Sequence, residues 1–138
     1  MSTNAIALTT PSSIAASAPR WLLGTIFFVF GLNGFLQFLP APPLPESAGA
    51  FLGALAGSGY FFPVLKGTEV LAGLALLSGI GAPVALVVLA PISIQIFLFH
   101  FFFTPGLGNQ VLPLVIVAAH LAAAVRYWHL YRPLFQKV

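Results

Sequence analysis

A membrane bundle of four α-helices is the fold this sequence predicts, and three observations predict it. Only 5% of residues are charged and 59% are hydrophobic, with a mean hydropathy of +1.04. A water-soluble domain carries about a quarter charged residues, so this chain needs hydrocarbon around it. The apolar residues fall in four continuous runs, each close to the roughly 20 residues that cross a bilayer. Continuous runs disfavour the alternating strands of a membrane barrel. Finally, basic residues cluster before the first run and after the last, and both connections on the other side lack them. The positive-inside rule then puts both termini in the cytoplasm and the chain in the inner (cytoplasmic) membrane as a multi-pass protein. The expected class is all-α: a polytopic four-helix bundle forming a single domain over residues 20–138.

Composition also excludes functions. Five basic and two acidic residues give a formal charge of +3, too little for a nucleic-acid surface. There are no cysteines, hence no disulfide, thiol chemistry or cysteine-held metal. Any redox role would run through a bound cofactor or a partner.

Residues 1–19 form a Ser/Thr/Ala-rich leader with no charged side chain. Without the basic start and apolar core of a secretory signal, it reads as a flexible tail. Arg20 opens the first span, 21–39, with Trp21 as an interfacial anchor. Gly24 and Gly31 lie seven apart on one face, where a neighbouring helix can approach. Asn33 and Gln37 fall at i, i+4 on another face. The proline-rich run 40–45 stops this helix. The next apolar segment, 46–59, is too short to cross and is expected as a re-entrant or surface helix.

The second span, 62–80, starts near Pro63, which a first helical turn tolerates. It carries Lys66 and Glu69 inside an apolar run, three apart and within reach of each other. Thr68, Ala72, Ala75 and Gly79 form a small-residue seam beside them. Gly79, Gly81 and Pro83 turn the chain into the third span, 83–103, where Pro91 is expected to kink the helix. This span also holds Gln95 and, near its end, His100. A short loop at 104–109 leads to the fourth span, 110–131, with His120 near its middle. Aromatic residues then alternate with Arg126, Arg132 and Lys137 at the end of the chain.

Counting about 1.5 Å per residue puts Asn33, Glu69, Gln95 and His120 in one slab of the membrane. Lys66 lies one turn further out, level with Gln37. Each helix thus gives at least one polar group to a common depth, and antiparallel packing can bring them to one cavity. Lys66 and Glu69 are the candidates for proton handling or for binding a polar head, because intramembrane charges are functional by default. A structural ion pair that fixes helix register is the competing reading. Asn33, Gln37, Gln95 and His120 are the candidate ligand contacts, with interhelical hydrogen bonding as the alternative role for Asn33 and Gln95. A bis-histidine haem between His100 and His120 is disfavoured: across the hairpin His100 lies level with Pro113, roughly 10 Å from His120 along the axis. No phosphate loop, metal-ligand cluster or nucleophile triad is present in the sequence.

These residues resemble the DoxX-like group of small four-helix bacterial membrane proteins. The resemblance covers about residues 21–135. It rests on Gly31-Leu32-Asn33-Gly34-Phe35 ending the first helix, Gly59-Tyr60 before the second, and Lys66-x-x-Glu69-x-x-x-Gly73-Leu74 within it. Pro91, His100 and the basic, aromatic end complete it. Gly34 and Gln37 stand where many members carry lysine and histidine. The resemblance implies a four-helix bundle and an association with redox systems, including quinone oxidoreduction. The expected function is therefore an accessory, quinone-facing membrane subunit of an oxidoreductase or redox-stress system, with quinone as its cofactor class. Its partners would be the lipid bilayer and a membrane or soluble oxidoreductase subunit. A non-catalytic scaffold, assembly factor or lipid-binding protein using the same cavity is the alternative. Whether the chain itself catalyses a reaction stays open at this level.

Overall fold

A computed structural model describes residues 11–137, and every element it contains is helical. The elements are α1 (Pro11–Leu36), α2 (Glu46–Gly57), α3 (Phe61–Ser78), α4 (Ala82–Phe103), α5 (Leu107–Arg126), α6 (Trp128–Tyr131) and a final 3-10 turn, Arg132–Phe135. Four of them are long and apolar enough to cross a membrane: Ile14–Leu36, α3, α4 and α5. This is the expected multi-pass bundle. The first helix starts earlier than expected, so residues 11–19 of the leader are helical, and Pro19 lies inside the helix. The rest of the leader lies outside the described residues.

Local chemistry explains most boundaries. α1 ends where Gln37 takes a left-handed φ of 50° and the Leu39 amide donates to Asn33 Oδ1 at 2.7 Å. Gly79, with φ 81°, caps α3, and Gly81, with φ 69°, opens α4, so the tight turn read from the glycines forms there. α2 runs for 12 residues, about 18 Å, which is too short to cross. Glu46 lies in its first turn, where a carboxylate suits the helix dipole. α4 runs unbroken through Pro91.

The four long helices form a closed ring in which α1 touches α3 and α5, and α4 touches α3 and α5. Leu23, Phe27, Leu76, Leu86, Leu89 and Ile116 fill its centre. The large apolar side chains on the outside, such as Leu71, Val84 and Val125, suit contact with lipid tails.

The closest contact in the ring is between α1 and α3, and glycines make it. A Cβ placed on Gly73 would lie 2.7 Å from the Phe28 backbone nitrogen. One on Gly31 would lie 2.9 Å from the Val70 nitrogen, and one on Gly24 would lie 3.0 Å from Leu76 Cβ. The Gly24/Gly31 face is therefore an interhelical seam, as the spacing predicts. On α3 it is met by Gly73 rather than by Gly79, which serves as a cap. Arg20 ties the far end of the pair by donating to the Leu76 and Leu77 carbonyls near the α3 C-terminus. At the same end Tyr131 donates its hydroxyl to the Pro83 carbonyl at 2.7 Å, which fastens the basic tail to the start of α4. Burial, together with the neighbouring Tyr127, raises the Tyr131 hydroxyl above the usual tyrosine range.

Gly73→Ala is expected to force α1 and α3 apart at a backbone contact, costing about 1–3 kcal/mol. Gly67→Ala meets no atom within 4 Å and should be neutral or slightly stabilising. Thermal unfolding in detergent compares the two, and equal stability would mean that the seam does not set the packing.

Candidate functional site

The site grows out of the middle of α3. Lys66 and Glu69 lie one turn apart on its inner side, and Lys66 Nζ donates to Glu69 Oε2 at 2.8 Å. The Glu69 side chain is only 3% exposed and that of Lys66 22%, so the carboxylate lies inside the bundle while the ammonium lies nearer its edge. Lys66 reaches this position along α1. Its aliphatic stem passes over Gly34, and even a methyl group at position 34 would overlap it. Glu69 Cβ in turn lies 3.0 Å from where a Cβ on Gly31 would be. The ion pair is thus seated in the same α1/α3 seam that holds the fold together.

Beside the pair lies a cavity of about 330 Å³. α1 contributes Ile26, Phe27 and Phe30 to its wall, and α3 contributes Phe61, Phe62, Leu65, Lys66 and Glu69. α4 adds Ile92, Gln95, Ile96, Phe99 and His100, and α5 adds Leu112 and Ile116. The short helix α2 covers one side through Phe51, Leu52 and Leu55. Phe30, Phe51 and Leu112 each keep more than a third of their surface exposed, so the cavity is not sealed. A mostly apolar hollow with a few convergent polar groups is the usual form of a small-molecule site, and this volume is near the lower end of that class.

Three of the four polar groups in the wall come from the sequence candidates, and one does not. Lys66, Glu69 and Gln95 line the cavity together. Asn33, Gln37 and His120 are not among its lining residues. Asn33 accepts the Leu39 amide at the end of α1, and Gln37 forms the exposed turn that follows. His120 is buried between α4 and α5, with Nδ1 2.9 Å from Ser93 Oγ and hydrogen-bonded to it. The fourth group is His100, which the sequence reading set near the end of the third span and did not count among the ligand contacts. Its Nδ1 donates to the Ile96 carbonyl at 2.8 Å, so a neutral His100 keeps Nε2 as a free acceptor. Ser93 was also missed, although the signal was present. The hairpin register that sets His100 level with Pro113 sets Ser93 level with His120.

The wall therefore offers an ammonium donor, a carboxylate, an imidazole acceptor and an amide around an apolar space. That set can hold a polar head by several hydrogen bonds, and Glu69 or His100 can exchange a proton with it. Among the described residues no group of three or more His, Asp or Glu side chains could hold a metal ion. No family model, curated protein or solved structure matches this chain.

Removing only Lys66 leaves Glu69 as an uncompensated buried charge, costing about 3–5 kcal/mol. Lys66→Met is therefore expected to melt well below the parent, and the double variant Lys66→Met/Glu69→Gln should recover most of the loss. A double variant as unstable as Lys66→Met alone would show that the lysine matters for packing over Gly34 rather than for charge.

Proposed function

We propose that this chain is an accessory, quinone-facing subunit of a membrane oxidoreductase or redox-stress system. It binds a ring-sized polar head in the cavity beside Lys66 and Glu69. The observation that carries the reading is the cavity itself: about 330 Å³ of apolar, partly aromatic wall with a single ion pair in it. Lys66 and Glu69 neutralise each other, so the wall favours a head that hydrogen-bonds without net charge. A quinone carbonyl or quinol hydroxyl is such a head. Lys66 would donate to a carbonyl oxygen, while Glu69 and His100 would give protons to the bound ring, or take them from it, as an oxidoreductase partner supplies or withdraws the two electrons. The resemblance to the DoxX-like group supports the same reading. Where many members carry lysine, this chain has Gly34, and the Lys66 stem fills the space above it.

In this proposal the protein lies in the inner membrane with both termini in the cytoplasm. Arg20 is near the α3 C-terminus, Arg126 ends α5 and Arg132 follows it, at the end where Tyr131 meets Pro83, which makes this end the basic one. The opposite end carries α2 and Glu46 and would face outward, with α2 lying re-entrant over the cavity mouth. Reporter fusions after Asn109 and at the C-terminus should report opposite sides of the membrane, and a shared side would remove the four-span topology.

The functional test is ligand binding by the purified protein in nanodiscs. A fully substituted benzoquinone should bind the parent, and filling the cavity with Ile96→Trp should weaken binding by about tenfold or more without unfolding the bundle. A parent that binds no quinone, yet co-purifies with a stable partner protein, would instead make the chain a scaffold or assembly factor.

A further inference from the structure

A second hollow adjoins the cavity outside the helix ring. A groove on the outer side of α4 is lined by Phe51, Gln95, Leu98, Phe99, Phe102 and Phe103, and it shares Phe51, Gln95 and Phe99 with the cavity wall. The shared wall falls between α2 and α4, where, among the described residues, α2 covers the ring. Leu98 and Phe102 point outward and are exposed, Phe102 by 70%, so the groove opens on the surface that faces lipid. From Gln95 to Phe102 it follows about 10 Å of helix. The cavity alone has room for a ring-sized head, and a chain attached to that head has to leave it somewhere.

The cover at this exit is held lightly. α2 makes few contacts with α3 and α4, and its aromatic contact is Phe51, stacked on Phe103 with ring centroids 5.1 Å apart and 6.1 Å from Phe99. On one side α2 hangs from the proline-rich segment 40–45, and on the other from the Ser58–Gly59 turn, where Gly59 has φ 76°. Gln95 lies at the threshold and is exposed, and no side-chain hydrogen bond engages it among the described residues.

We infer that the groove seats the alkyl or prenyl chain of the cavity's ligand, and that α2 is the gate by which this ligand passes between the bilayer and Lys66–Glu69. The inference rests on reading the cavity as a ligand site, and it adds the class of ligand, a bilayer-borne amphiphile, and its route. Entry from the side matches the exposed aromatic threshold, and Gln95 supplies a hydrogen-bonding step for a polar head crossing it.

Two variants test this in nanodiscs with two fully substituted benzoquinones, one bearing a decyl chain and one a methyl group in its place. Leu98→Asn/Phe102→Asn makes the groove polar. It should weaken the decyl compound by about tenfold and leave the methyl compound within about twofold. The chain has no native cysteine, so Phe51→Cys/Phe103→Cys can be joined by a short bifunctional maleimide, with a sample capped by a monofunctional maleimide as control. Joining should slow association of the decyl compound by about tenfold or more relative to the capped control. Equal effects of the groove variant on both compounds would overturn the chain seat, and unchanged association after joining would overturn the gate; either way quinone binding by the parent would leave the cavity reading standing. No binding of either compound by the parent would remove both.

Discussion

A carboxylate held almost out of reach of solvent in an apolar bundle sets the terms for the rest of this structure. Glu69 needs a counter-charge, and Lys66 supplies it from one turn earlier on the same helix. For Lys66 to reach it, the lysine stem has to lie flat between α3 and α1. That requires the absence of a side chain at Gly34 and close approach of the backbones at Gly31 and Gly73. The charge pair and the glycine seam are one constraint seen from two sides. In hydrocarbon, where no hydrophobic force drives helices together, such close van der Waals contact is what holds them.

The consequence is a bundle whose helices are joined unevenly. α1 and α3 are joined along their length by the glycine seam, at one end by Arg20 on the α3 carbonyls, and near the other by Lys66 over Gly34. α4 and α5 are joined to each other through Ser93 and His120 and through Gln110, whose Nε2 donates to the His100 carbonyl at 2.8 Å. The cavity lies between these two pairs, and α2 covers one side of it.

How much of this was legible in the sequence follows from which forces leave a linear trace. The four long apolar helices were legible, because burial in hydrocarbon demands long uncharged runs. The Lys66–Glu69 contact was legible, because a spacing of three on a helix fixes neighbours regardless of tertiary structure. Gly24 and Gly31 announced their seam for the same reason. Helix rotation was not legible. These helices are apolar around most of their circumference, so no hydrophobic face says which side looks inward, and depth alone grouped Asn33, Gln95 and His120 as equals. Rotation then separated them: Gln95 faces the hollow, His120 turns to Ser93, and Asn33 is spent on capping the end of α1. The early start of α1 was hidden too, since a Ser/Thr/Ala leader has neither charge nor strong apolar pattern to mark a helix.

The placement of polar groups around the cavity follows from the same inequality. A site that must hold a head group in fixed geometry needs its donors on well-packed elements, and Lys66, Glu69 and His100 all project from the long helices of the ring. A site filled from the bilayer also needs a wall that yields, and the yielding wall here is built only of aromatic and aliphatic side chains: Phe51, Leu52 and Leu55 on a helix too short to span. No charge on α2 faces the cavity, so its movement breaks no ion pair and leaves no buried charge alone. Had the lysine been placed on α2 instead, each opening would strip Glu69 of its partner at a cost of several kcal/mol. Keeping both charges on one turn of α3 separates the stability of the bundle from the motion of its cover, which lets a marginally packed helix serve a site whose core is fixed.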